Sequence, residues 1–489
     1  MAGCSGLPLA ERLVGLPDPR QRRGRRHPFV AVLLISACAV VAGALSYTAI
    51  AQWARNAPQE TLARLGARLL ASLNVRIAPS RSTIRRVVIA VCPGGLADLT
   101  GSDPSGAEAV AVDGKSARGS RCGQVPAAHL LAAMTGDGRT VTQLRVPGKT
   151  NEITCFTALL EPFDLTGIVV TADALHTQRD HATFLVEAKR AHYVFTVKKN
   201  QPLLHQRLRD LPWERATAKF YDRTVGHGRR ETRVVQVLTV DDLAFPHTAQ
   251  VARITRHRTS LKTGKRTRET VYAITDLTSR QASPEKIAKL VRSQWVIENR
   301  LHFVRDVTFD EDRSQIRTGH GPENMATLRN LAINTLRDHG HASIAAGLRE
   351  MSYHPFTPPP RPPQHRPVTS NNTKITRLWN SPAYKRRAPS RRQIPVPPAH
   401  AQGGVCTGVP AGVFGRAVVW WGCLYVFCAL VVCAFLALDM GFNYEVEGGG
   451  PFPSLHVPVL VMCPTVIRIA SRHGVPTRTP LRTRWQFSP

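Results

Sequence analysis

Two aspartates and one glutamate are the residues of this sequence best placed to do chemistry. Asp113 closes the apolar run of AEAVAVDG, and Asp173 follows the apolar run of GIVVTADAL. Both runs read as short strands that end on a carboxylate. Acids at the ends of neighbouring strands point to one side of a sheet from rigid supports, which suits a site for hard cations. The third carboxylate lies in WVIENRLHFVRDVTFDED, Trp295 to Asp312, where five acids sit in an otherwise basic chain. Helical phasing puts Ile297, Leu301, Val304 and Thr308 on a buried stripe, with Glu298, His302 and Arg305 on the stripe beside it. Glu298 is thereby at the core edge, where it could meet Asp113 and Asp173. Asp306, Asp310, Glu311 and Asp312 read as a solvated loop. Three carboxylates could hold two Mg²⁺ ions, or Mn²⁺, one activating an attacking oxygen and the other stabilising the leaving oxygen of a phosphodiester.

Each of these residues alone also fits a plainer role. An Asp after a strand is commonly a turn or cap residue, and a Glu on an amphipathic helix commonly a solvated ion-pair partner. VDGKSARG resembles half of a phosphate loop, but Ala109 stands where the upstream glycine is required, which excludes an NTPase site.

The elements that must position the carboxylates are legible in order. AEAVAVDG is a strand, and AHLLAAMT-GDGR-TVTQLRV a hairpin with a Gly-Asp-Gly turn. A helix follows from Asn151, then the strand carrying Asp173, the helix HATFLVEAKRA and the strand HYVFTVKKNQ, with Lys198 and Lys199 at its exit. That order describes an α/β fold, a mixed sheet covered by helices. Residues 203 to about 282 read as a β-rich, very basic insertion, and PEKIAKLVRSQWVIENRLHFVRDV as the helix closing the sheet domain of residues 107–350. Residues 1–100 read as helical, with PQETLARLGARLLASL one helix and Ser80 or Ser82 capping another that carries Arg85 and Arg86. This pair suits a DNA-reading helix-turn-helix or a basic surface helix.

The 489 residues carry a formal charge of +31, so the partner is a polyanion, nucleic acid or an anionic membrane. Ten cysteines without a C-x-x-C pair fit a reducing cytoplasm better than a zinc site or disulfide framework. Phe29–Leu45 reads as a buried core helix, with a membrane span as the alternative. The tail of residues 353–489 lacks Asp and Glu between Glu350 and Asp439 and contains the apolar stretch 417–438. It reads as an atypical, disordered extension after a frame change, or as a membrane anchor.

VAVDGKSARGS, KTNEIT, VVTADALHTQ, YVFTVKKNQP and QWVIENRLHFVRDVTFDEDRS together resemble the DDE transposases of bacterial insertion sequences, specifically the ISAs family. LPDPRQRRGRRHPFVAVL and GALSYTAIAQWA resemble that family's associated N-terminal domain. The likeness spans about residues 8 to 350. It implies a ribonuclease-H-like core and Mg²⁺-dependent DNA strand cleavage and transfer, with Asp113, Asp173 and Glu298 as catalytic metal ligands. It further implies binding to the element's terminal inverted repeats and to target DNA, a homodimer in the synaptic complex, and a nucleoid-associated cytoplasmic location. Lys115, Lys198, Lys199, Arg305, Arg85 and Arg86 are the candidate DNA contacts. Related enzymes carry a Tyr-Arg-Glu-Lys signature around the glutamate; here Val291, Gln294 and Arg305 occupy the flanking positions. The rival readings are a DNA-binding regulator without catalysis and a membrane-anchored protein.

Overall fold

The structure is a computed structural model that describes residues 8–148 and 150–357; the tail expected to be atypical lies almost wholly outside them, as does 417–438. The chain opens with α1 (Leu9–Val14) and α2 (Phe29–Val41). Nine of the thirteen α2 residues are buried, and no helix among the described residues is long and apolar enough to cross a membrane. The run from Phe29 is thus a core helix, apolar all round because protein covers it on every side. Next come α3 (Tyr47–Asn56), capped by the Ser46 side chain, and α4 (Gln59–Arg64). The single helix expected over residues 58–73 ends early, because the chain turns at Gly66 and folds back as the small hairpin β1 (Arg68–Leu70) and β2 (Val75–Ile77), with Asn74 in the left-handed region. Ser80 caps α5 (Arg81–Ala90) by accepting the Thr83 amide, so a hairpin separates the two helices that suggested a tight helix-turn-helix. The segment ends with α6 (Pro93–Thr100).

The sheet begins with β3 (Ala109–Ala117), which continues four residues beyond Asp113 rather than ending on it. The hairpin follows as expected, β4 (Ala128–Thr135) and β5 (Thr140–Val146), its turn eased by Gly138 at a φ of 95°. Then come α7 (Ile153–Leu160), β6 (Val169–Ala172), α8 (Arg179–Thr183) prolonged by a π turn, β7 (His192–Val197) and α9 (Pro202–Arg209). Four long strands complete the sheet: β8 (Lys219–Gly226), β9 (Arg229–Thr239), β10 (Gln250–Ser260) and β11 (Arg266–Thr275).

The order across the sheet is β5-β4-β3-β6-β7-β11-β10-β9-β8. β6 is parallel to both β3 and β7, and every other pairing is antiparallel. The β-rich segment is therefore not an inserted separate sheet: β11 hydrogen-bonds directly to β7, Tyr272 opposite Val197. Local alternation identifies strands but not the edge they join.

After the insertion, α10 (Pro284–Ser293), capped by Ser283, continues through α11 (Trp295–Ile297), a π turn over Glu298–His302 and α12 (Phe303–Val307). The chain ends with α13 (Gly321–Asp338), buried along most of its length, and α14 (Ile344–Tyr353). One apolar core joins α2, α3, α5 and α13 to one face of β3 and β4 and to Ile297 and Leu301. A second core fills the opposite face between β3, β4, β6, β7 and α7. A third seats α10 on the sheet through Ile287 and Leu290.

Candidate active site

Parallel pairing of β3 with β6 ends at Val112 opposite Ala172. Asp113 and Asp173 are the next residue on each strand, so the register sets their backbones side by side, about 4.8 Å apart. Residues in register on parallel strands point to the same face, and both line one groove. Helix α11 crosses β3 and brings in Glu298 from above. The Glu298 carboxylate lies 3.0 Å from Nδ1 of His302, and the same nitrogen lies 3.5 Å from Asp113 Oδ2. One ligand atom from each of Asp113, Glu298 and His302 falls within 4.8 Å of the others. Asp173 is not in that cluster: its Oδ1 accepts the Leu175 amide at 2.9 Å and caps the turn of residues 174–176.

Burial of the Asp113 carboxyl raises its pKa to about 6, with the neighbouring Asp173 and Glu152 charges adding to the rise; His302 and the Gly114 amide oppose it. The Glu298 carboxyl is shifted down, chiefly by its bond to His302 and against a burial cost.

The π turn falls on Glu298–His302, where its wider ring of backbone bonds breaks the 3.6-residue phasing. Downstream side chains are consequently rotated. His302 and Arg305 turn inward, with Arg305 0% exposed, while Val304 is only partly buried. The phosphate role expected of Arg305 is thereby corrected: its guanidinium is sealed against Glu311, with Nη2 2.7 Å from Oε2. Glu311, expected in a solvated loop, is 1% exposed and also binds Arg329 at 2.7 Å.

The other expected DNA contacts divide clearly. Lys198 is exposed and lines the groove, and Lys199 is exposed beside it. Lys115 is nearly covered and held by Asp306 at 2.7 Å, so it is already neutralised by the protein. Arg86 is exposed on α5, and Arg85 donates to Thr318 Oγ1 at 3.3 Å; neither lines the groove.

Two contributors escaped the sequence reading. Gln294, at the signature position where related enzymes carry Arg, donates to the Val112 carbonyl at 2.9 Å and accepts from Thr171 Oγ1 at 2.8 Å. It fixes the helix to both strands just before their aspartates. The second is the insertion face of β9 and β10. Arg229, Arg233, Arg256 and Arg258 gather there around the buried Glu231, which lies 3.3 Å from Arg256 and 3.2 Å from Arg258 and also pairs with Arg233. Period-2 alternation sets these arginines on one face, but which face overlooks the acids depends on sheet order. Together with Lys198 and Arg292 they make a basic wall over the acidic floor, and the groove between has a volume of about 1190 Å³.

Counted in chain order, the five strands from β3 to β7 lie 3-2-1-4-5, with only the second antiparallel to its neighbours. Carboxylates follow the pairing of the first and fourth. This is the ribonuclease-H-like arrangement. A transposase DDE domain model matches residues 104–335, and the model of its associated N-terminal region matches residues 10–101. The chain belongs to the DDE transposase family. Relatives include "Putative transposase YncI" of Escherichia coli O157:H7, 28% identical over 68% of this chain and 87% of the relative. "H repeat-associated putative transposase YhhI" of Escherichia coli K12 is 28% identical over 70% and 93%. The piggyBac transposase synaptic complex with hairpin DNA aligns over 76% of this chain and 84% of its own at 12% identity, with a TM-score of 0.34, too distant to bear on the site.

Proposed function

We infer that this transposase cuts DNA at the ends of its own element and joins the freed 3′-OH to target DNA, with Asp113, Asp173 and Glu298 holding the required divalent cations. The observation carrying this reading is the meeting of Asp113 and Glu298 across β3 and α11, with Asp173 in register beside Asp113. The donor set fits a hard cation. It offers carboxylate oxygens, and one of them, Asp113, is partly buried beside like charge that a cation would offset. Two Mg²⁺ or Mn²⁺ ions bound there would polarise the scissile phosphate and lower the pKa of the attacking hydroxyl or water. The chain's own task is positioning: Gln294 and the sheet register align the carboxylates, and the basic wall holds the phosphodiester backbone over them.

In this reading residues 1–100 bind the terminal inverted repeats, residues 107–350 do the chemistry, and two copies act together on paired ends. Membership of the ISAs group rests on motif order. The purified chain with Mg²⁺ should cut DNA ending in the element's own repeats at the element boundary, leaving a 3′-OH. Equal cutting of scrambled ends, or none with either Mg²⁺ or Mn²⁺, would sink the reading.

The wall carries its own prediction. Each lost phosphate contact reduces the slope of log affinity against log salt by about 0.9. Lys198→Ala combined with Arg229→Ala should therefore flatten that slope by roughly 2 on duplex DNA, measured by titration across salt concentrations. An unchanged slope removes these residues from the DNA path.

A further inference from the structure

On the face of β3 opposite Asp113 and Lys115 lies a fourth carboxylate, Glu152, which the catalytic reading does not use. It stands just before α7, and its two oxygens serve two different elements. Oε1 is 2.6 Å from His129 Nε2 on β4, and Oε2 is 3.2 Å from His176 Nε2 in the turn that Asp173 caps. His129 Nδ1 in turn lies 2.8 Å from Ser116 Oγ on β3. If Glu152 accepts from both rings, each Nε2 carries a proton. The result is a hydrogen-bonded chain Ser116–His129–Glu152–His176 that runs behind both aspartates.

Two further details mark this carboxylate as placed. Its pKa, which burial would raise, is brought to about 2 by the bonds and charge of His129 and His176. Gly114, next to Asp113, leaves room for it: a Cβ there would lie 2.3 to 2.6 Å from the carboxyl atoms of Glu152. His176 is buried completely, and Phe156 and His181 pack around its ring. The turn from Asp173 to His176 is therefore held at one end by β6 and at the other by Glu152.

We propose that Glu152 is a positioning residue for the metal-binding carboxylates, clamping the Asp173 turn to β4 and to the Gly114 step of β3. It touches neither DNA nor ion; it sets the spacing of Asp113 and Asp173. This rests on the reading that those aspartates carry the chemistry. Outer partners of a metal site typically matter by 10- to 100-fold, so the effect is measurable.

The test compares Glu152→Gln, Gly114→Ala and Asp113→Asn in the full chain, each scored by strand cleavage, end-DNA affinity, thermal midpoint and direct Mn²⁺ binding by electron paramagnetic resonance. Glu152→Gln should lower the thermal midpoint, since the depressed carboxyl contributes to stability, and in protein that is still fully folded it should lower both cleavage and Mn²⁺ affinity by about tenfold or more, with DNA affinity held. Gly114→Ala should reproduce this by pushing the carboxylate off its histidines. Adding Gly114→Ala to Glu152→Ala should cost nothing more, since the methyl then has space. Glu152→Gln with wild-type cleavage and Mn²⁺ affinity overturns the proposal. So does a loss that merely tracks a fall in folded protein, which would assign Glu152 to the core. If Asp113→Asn still cleaves, the catalytic reading itself fails; if it is inactive while Glu152→Gln is normal, only this proposal does.

Discussion

Asp113→Asn is expected to leave end-DNA affinity within about twofold and to cut strand cleavage by on the order of 10³-fold, about 4 kcal/mol of transition-state stabilisation. Asparagine keeps the shape and loses the charge, so the basic wall is untouched. The same change should raise the thermal midpoint at pH 7.5 in metal-free buffer. The sign follows from the raised carboxyl: a folded pKa near 6 against the usual 3.8 means the charge costs folding stability as pH rises above 3.8, and the full cost holds above about 6. Cleavage assays and calorimetry on one preparation check both halves. Retained cleavage would leave a DNA-binding protein without this chemistry, while lost cleavage with a lowered midpoint would mean that Asp113 serves the fold.

Glu311→Gln should be the most destabilising single change, at about 3–5 kcal/mol, because it strands two buried cations. Arg305 is 0% and Arg329 2% exposed, and both guanidinium groups point at this one carboxylate. Burial alone would raise the Glu311 carboxyl, but the arginines bring it down to about 2 from 4.5. A depressed folded pKa contributes stability that is complete above pH 4.5 and is lost as pH falls toward 2. The shift corresponds to about 3 kcal/mol. Across this window wild-type protein should lose about that amount more than Glu311→Gln does. Denaturant melts at pH 7, 4 and 3 make the comparison, and a variant within about 1 kcal/mol of wild type at pH 7 would refute the assignment. Function is tied to the same cluster, since Arg305 anchors the helix that carries Glu298.

Much of this was readable from residues alone. The order strand, hairpin, helix, strand, helix, strand holds, because each element has its own period and turn signal. Asp113 and Asp173 fall where apolar runs stop, which is a local fact. What escaped was set by geometry between distant elements. The phasing that placed Arg305 outward assumed 3.6 residues per turn, and one π turn rotated it into the core. The helix expected through residue 73 had good formers, but a turn and hairpin at Gly66 and Asn74 took over. Glu152, His129 and His176 are separated by more than twenty residues, and nothing in periodicity links them. The basic insertion was read as strands, yet its place at the edge beside β7 needed the sheet.

That edge position has a consequence of scale. β11 pairs with β7 only from Tyr272 to Thr275, so residues 266–271 run past the last residue of β7, together with their partners on β10. Six residues of antiparallel strand extend roughly 20 Å. A full turn of duplex DNA is about 34 Å long. The arginine-bearing arm thus spans more than half a turn, and because it is hydrogen-bonded into the catalytic sheet it has no hinge of its own. Under the proposed function, duplex laid along it would meet the acids at a fixed distance along its axis, and shortening the arm by one two-residue step per strand would shift that mark by about 7 Å.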